Sequence, residues 1–255
     1  MNVIVPKTAA ELALGISLPH RKMEDWRWTD LRQLIDRPYP PRQAVAAKGV
    51  EKLIKSSPFV KVAGARMVFV NGHFAAEHSQ LKNDDLASKV KSDEPVIAMN
   101  AAFATDGARL RISGNADTPI ELLFVSTDGA PRTIATRNVI EIEKAASATI
   151  IETHLGEGSY LANSVTEISL GESAKLDRIK VELESGEATH LSHTHVTLAR
   201  NSVLNDFTLT SGAGVNRQNG TVEFQGQGID AKISGAFMLG GEQHADTRLV
   251  IGHQQ

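Results

Sequence analysis

The chain of 255 residues carries 27 Lys and Arg against 30 Asp and Glu, a formal net charge of −3. That balance, with its basic residues scattered, excludes the electrostatic footprint of a nucleic-acid or anionic-membrane binder, and no run approaches the roughly 18 apolar residues of a membrane span. There are no cysteines, which excludes disulfides, a nucleophilic thiolate and any thiolate-ligated metal or iron–sulfur site built from this chain alone.

The opening stretch MNVIVPKTAAEL has no basic region leading into an apolar run, so no secretory signal is read and a soluble, cytoplasmic protein is expected. Thr8 and Glu11 have the spacing of a capping box, which predicts a helix starting there and ending at Pro19. MEDWRWTDL then holds both tryptophans of the chain. Trp28, Leu31, Leu34 and Ile35 recur at helical spacing, predicting a helix over 26–35 that RPYPP stops. Two readings of the tryptophan pair are open. In one the rings form a platform for bases or sugars, with Arg27 on a phosphate. In the other they form a clasp that pins the segment onto the fold, and this is the expectation. Trp28→Ala would then cost about 3–5 kcal/mol through loss of a buried ring. A third helix is predicted over 43–55, weakened by Gly49.

RMVFVNGHF reads as a strand entering an Asn71–Gly72 turn. DDLASKV and AMNAAFATDGA read as short helices or turns. From Arg109 onward the helical period gives way to short β-branched runs, and these repeat. Leu110, Ile140, Ile168, Val196 and Val222 each begin an alternating pair, completed by Ile112, Ile142, Leu170, Leu198 and Phe224. A small residue follows each pair at Ala116, Ala146, Ala174, Ser202 and Gly228. Steps of 30, 28, 28 and 26 residues predict a mainly β fold, a parallel β-helix or β-solenoid, because a β-sandwich has no reason to keep such a spacing. The expected organisation is an N-terminal helical region over 1–65, a mixed connecting region over 66–108 and a β-helix core over 109–255. One more step falls near Val250, where LVIGHQQ starts another alternating run and the chain stops. This predicts a core without its last rungs and cap, a truncated chain whose open strand is a template for self-association.

Histidines are the first candidates for chemistry. His193 and His195 lie two apart, and if Val196 and Leu198 face inward, parity puts both outside, with Glu167 beneath His195. Such a set could hold Zn²⁺ or Fe²⁺, as in a cupin-like protein. The cupin motif continues to a Glu and a Gly, which VTLAR lacks, so an exposed polar ladder is expected. Glu242, His244, Asp246 and His253 offer a second set, with His244 and Asp246 on one face, read as a polar strand near the open end. A carbohydrate-active β-helix enzyme would line its groove with aromatics, and neither Trp lies in the repeats. The glycines of TSGAGVNRQNG and FQGQGIDAKISGAFMLGG match no nucleotide-binding loop and are read as solenoid corners.

Several stretches together resemble one family. KMEDWRWTDLRQL resembles the Glu-x-Trp-Arg-Tyr/Trp-Thr segment near the start of the SufB/SufD proteins of iron–sulfur cluster assembly, with Glu24 and Arg27 as its polar residues. MVFVNGHF and AMNAAFATDGARLRI resemble the segments leading into their β-helix. TRNVIEIEKAASATIIETHLGEG, NSVTEISLGESAKLDRIKVE and AFMLGGEQHADTRLVIGH resemble successive rungs of it. The resemblance covers nearly the whole chain and rests on order and spacing. It implies a subunit that pairs with a homologous subunit and recruits the ATPase SufC, in a complex that builds clusters from sulfide delivered by a cysteine desulfurase. SufB contributes the cysteine chemistry, so a chain without Cys fits the SufD role: a non-catalytic scaffold beside a SufB-like subunit and SufC. An iron–sulfur cluster and reduced flavin are implied only for the assembled complex. Family members continue beyond LVIGHQQ into the SufB–SufD interface, a histidine implicated in cluster assembly and the helices that dock SufC. No catalytic, cofactor-binding or metal-ligating residue is therefore carried over. His193, His195, His244 and His253 receive no role in iron handling.

Overall fold

The capping box forms as its spacing predicts. Thr8 N donates to Glu11 Oε2 at 2.8 Å and Glu11 N to Thr8 Oγ1 at 3.2 Å, opening helix α1 (Ala9–Leu14). The computed structural model describes residues 8–35, 37–41 and 48–253. Helix α1 ends not at Pro19 but at Gly15, whose φ of 69° supplies a left-handed cap. Glu11 is buried and also accepts from Leu18 N and Arg32 Nε, both at 2.8 Å. Burial raises its carboxyl pKa, but these backbone and guanidinium donors outweigh it and hold the group below its ordinary value. With the folded pKa depressed, this stabilisation is complete above the unfolded value and fades as pH falls through the folded one. Glu11→Gln is expected to cost about 1.5–3 kcal/mol near neutral pH and to flatten the acid side of a urea-midpoint profile. A profile parallel to the parent's would contradict this role.

The single helix expected over 26–35 is instead a 3₁₀ turn (Glu24–Trp26) followed by the short helix α2 (Leu31–Leu34). Asp30 interrupts it by capping α2, its carboxylate accepting from Arg32 N. Of the helix expected over 43–55, α3 (Val50–Lys55) forms after Gly49, and residues 42–47 lie outside the described residues. DDLASKV is irregular, whereas AMNAAF lies in α4 (Pro95–Phe103), capped by the Glu94 carboxylate.

Strands β1 (Ala65–Val70) and β2 (His73–Phe74) form the predicted hairpin, with Asn71 and Gly72 at φ 50° and 86°. Beyond them, strands alternate between two parallel sheets. Strands β3 (Arg109–Ile112), β5 (Thr133–Ile142), β7 (Leu161–Leu170), β9 (Thr189–Ala199), β11 (Val215–Gln225) and β13 (His244–His253) stack as sheet A. Strands β4 (Ile120–Ser126), β6 (Ser147–Gly156), β8 (Lys175–Leu183), β10 (Val203–Thr210) and β12 (Asp230–Phe237) continue from β1 as sheet B. Each repeat supplies one strand to each sheet, giving a β-solenoid of about five turns. Leu110, Ile140, Ile168, Val196 and Val222 pair in succession as the repeat requires. The next partner is Ile251 and not Val250, because the last coil is one residue longer than the projected step. Corner geometry repeats with the same period. Ala145, Ser173, Asn201 and Gly228 hold φ of 58°, 60°, 57° and 71°, each immediately before or at the small residue of its repeat.

Not all the glycines of the two Gly-rich stretches are corners. Gly220 lies within β11 and Gly235 within β12, opposite Thr194 and Thr208 of the preceding coils.

Between the sheets the apolar core runs through Met67, Phe69, Leu122, Ile140, Ile168 and Leu198. A second core lies outside sheet A, where α1, α2 and α4 cover Leu161, Val165 and Leu191. Trp26 is its anchor, 1% exposed, with the Arg217 guanidinium 4.8 Å above its ring. Trp28 is not buried: it is 73% exposed, because the 3₁₀ turn aims only one of the two rings inward. The clasp is real, but Trp26 alone forms it. No helix among the described residues is long and apolar enough to cross a membrane.

Candidate functional site

Successive residues of a strand face opposite sides of its sheet, so the inward positions of sheet B form ladders from coil to coil. One ladder runs Ile120, Ile150, Arg178, Asp206, Ile233. The next runs Leu122, Glu152, Lys180, Thr208, and a third runs Phe124, His154, Glu182, Thr210. The interior is thus apolar in the first coils and charged in the middle ones. From sheet A, His190 and Ser192 project into the same space, and Glu184 and Tyr160 close it from the turns.

These groups form one connected network. Arg178 donates to Glu152 Oε2 at 2.7 Å and to both oxygens of Asp206 at 3.0 Å. Glu152 Oε1 is 2.8 Å from His154 Nε2. Lys180 Nζ reaches Glu182 Oε1 at 2.6 Å and donates to Ser192 Oγ at 3.1 Å. Glu182 Oε2 accepts from Thr210, Asn216 and Gln218. His190 lies between Glu182 Oε1, 3.2 Å from its Nε2, and Glu184 Oε2, 2.6 Å from its Nδ1.

Burial opposes every charge here, so the partners decide each shift. Burial raises the Glu182 carboxyl, but Lys180, His190 and His154 outweigh it and hold it at about 2. Glu152 is likewise held well below its ordinary value, chiefly by Arg178, and Glu184 is lowered by His190. The two imidazoles part ways. Burial lowers His154 further than Glu152 can restore, whereas for His190 the two carboxylates outweigh burial and raise it. Burial beside Glu184 pushes the Tyr160 phenol well above its usual range.

A cavity of about 290 Å³ adjoins the network, lined by Arg178, Lys180, Ser192, Asp206, Gly220 and Gly235. Gly220 and Gly235 both line this space, where an added Cβ would come within 2.9 Å of Leu249 Cδ1 and 3.1 Å of the Thr208 carbonyl oxygen, respectively.

The histidines singled out in the sequence lie elsewhere. His193 and His195 face outward as parity requires, and Glu167 pairs with His195 in register. They are not an exposed ladder, however, because α4 and the segment before it cover that face. His193 is 4% exposed, its Nδ1 3.7 Å from Glu94 Oε2, and His195 Nε2 stands 3.7 Å from Glu223 Oε1. Burial lowers the His195 pKa more than Glu223 raises it. Glu167 turns instead to Ser88 Oγ and the Lys89 amide, at 3.0 and 2.8 Å. His244 and Asp246 share a face as expected, and both contact Thr29 Oγ1, with Asp246 also paired to Arg217. They fasten the clasp to the last coil. His253 stacks on Phe224 with ring centroids 4.8 Å apart.

Among the described residues, three donors converge at metal-ligand spacing in one place: His154, Glu184 and His190, whose ligand atoms all lie within 4.8 Å of one another. Sequence reasoning missed them. In DRIKVELES the apolar residues Ile179, Val181 and Leu183 alternate with charged ones, and it is the charged positions that face in. The signal was the corner: Ala146 and Ala174 fix the parity, Ala148 and Leu176 follow inward, and Arg178, Lys180 and Glu182 keep their phase.

Comparison with known proteins adds a family. The model described as SUF system FeS cluster assembly, SufBD core domain, matches residues 124–255, just over half of the chain. Among curated proteins, the chain is 27% identical to an iron–sulfur cluster assembly SufBD family protein of Synechocystis, over 95% of this chain and 61% of that one. It is 26% identical to a SufBD family protein of Mycobacterium leprae, over 94% of this chain and 57% of that one. A Mycobacterium tuberculosis homologue is 24% identical, over 94% and 56%. The chain therefore spans 56% to 61% of the length of these relatives.

Proposed function

The chain belongs to the SufBD core family of the SUF system, and on that premise we propose that it serves iron–sulfur cluster assembly as a SufD-like scaffold subunit. It works in the cytoplasm, beside a SufB-like homologous subunit and a SufC-like ATPase, and contributes shape and contact surface instead of a catalytic residue. The observation that carries this reading is the SufBD core match over residues 124–255 in a chain whose 255 residues include no cysteine. These residues themselves offer no thiolate to hold or transfer sulfur. The clasp fits the same reading, since Arg217 lies over the Trp26 ring and donates to the Asp25 carbonyl, tying the N-terminal segment to the solenoid.

Co-purification of the tagged chain with the SufB-like and SufC-like proteins of the same organism tests the proposal. Retention of the SufB-like subunit is expected. Loss of it, both from this chain and from its longer relatives, would overturn the assignment.

A further inference from the structure

The charged interior has more acid than its own bases balance. Among the described residues, Glu152 and Asp206 pair with Arg178 and Glu182 with Lys180, while Arg132 acts on Tyr160 at the Glu184 end. One nitrogen of each imidazole faces a carboxylate, hydrogen-bonded for His154 and in ionic contact only for His190, whose Nε2 also has Lys180 Nζ 3.5 Å away. His154 Nε2 is 2.8 Å from Glu152 Oε1, and His190 Nε2 is 3.2 Å from Glu182 Oε1. Those carboxylates are themselves fixed, Glu152 by Arg178 and Glu182 by Thr210, Asn216 and Gln218. That is how metal-ligating histidines are oriented, with a carboxylate on the far nitrogen and the other nitrogen left for the ion.

The atoms left over point at one another. His190 Nδ1 and Glu184 Oε2 are fully buried and 2.6 Å apart, yet neither makes a hydrogen bond of acceptable geometry. Glu184 Oε1 accepts from Tyr160 Oη at 3.1 Å, which fixes the carboxylate and leaves Oε2 with only its ionic contact to His190. The His154 ring stands edge-on to His190 with centroids 4.7 Å apart, held flat against Phe124. Burying unsatisfied polar atoms costs on the order of 1–3 kcal/mol each, and a shared ligand removes that cost.

We propose that His154, Glu184 and His190 form a binding site for a first-row divalent transition cation inside the solenoid, with one nitrogen from each ring and the Glu184 carboxylate as ligands. Two imidazoles and one carboxylate favour zinc, iron or cobalt over magnesium or calcium, which take all-oxygen sets. The cavity is lined by Lys180 and Ser192 and not by the three ligands themselves, but Lys180 Nζ lies 3.5 Å from His190 Nε2, so the space begins one side chain from the site. The site rests on interior geometry alone and stands independently of the assembly role.

Co²⁺ is the probe, titrated into chelator-stripped chain without oxygen. The expected result is one equivalent bound, with visible ligand-field absorption of a nitrogen–oxygen site and hyperfine-shifted imidazole resonances from two histidines. His154→Gln and Glu184→Gln are each expected to weaken binding tenfold or more, and Zn²⁺ to displace the Co²⁺. Because buried variants can fail to fold, the paramagnetic shifts in the unaltered chain provide a readout that needs no substitution. Absence of stoichiometric Co²⁺, or shifted resonances belonging to His193, His195 or His244, would overturn the site.

Discussion

Replacing Arg178 with isoleucine is expected to cost about 3–5 kcal/mol, the penalty for removing one member of a buried ion pair. Its guanidinium is 2% exposed and bridges Glu152 and Asp206, and its pKa is raised, because the two carboxylates outweigh the burial that opposes the charge. Without it, Asp206 and Glu152 both lose the guanidinium that bridges them. The ladder suggests its own repair. Arg178 and Asp206 are neighbours in a column that is otherwise Ile120, Ile150 and Ile233. The double variant Arg178→Ile/Asp206→Ile is therefore expected to recover at least half of the loss, since replacing a whole buried pair with packed aliphatics is often neutral or stabilising. Urea unfolding at neutral pH of Arg178→Ile, Asp206→Ile and the double variant measures all three free energies. A double variant as unstable as the sum of the singles would mean that the pair is not coupled as drawn.

Trp26→Ala is the second large effect, also about 3–5 kcal/mol, from a deleted buried ring and the cavity it leaves. The ring packs among Leu18, Leu31, Val96, Met99 and Leu191, with Arg217 over its face. Trp28→Ala, two residues on, is expected to stay within about 0.5 kcal/mol, as for an exposed surface side chain. Hydrogen exchange should show the Trp26 loss concentrated in residues 20–35 and in β11 and β13, which the clasp joins. Equal midpoints for the two variants would remove the clasp from the account.

The solenoid was legible because its signal is periodic: inward aliphatics in sheet A and small corner residues recur at nearly constant spacing, and each maps onto the observed register. The capping box and the Asn71–Gly72 hairpin were legible because they are local. What escaped was set by tertiary contact. Whether Trp26 or Trp28 turns inward depends on where sheet A lies under the 3₁₀ turn. That His193 is buried depends on α4 crossing it. The inward charges of β6 and β8 escaped for a different reason. Their parity was available from the corners, through Ala148 and Leu176, but the charged side chains satisfy one another in a way that only the coil-to-coil register reveals.

On the proposed function, this solenoid does its work as one subunit of a cluster-assembly complex. Native mass spectrometry of the chain co-expressed without oxygen with its SufB-like and SufC-like counterparts tests it most directly. The account predicts a stoichiometric assembly containing this chain and the SufB-like subunit, with iron and sulfide found where the partner supplies cysteine. A SufB-like and SufC-like complex that forms and fills with clusters while this chain remains apart would contradict it.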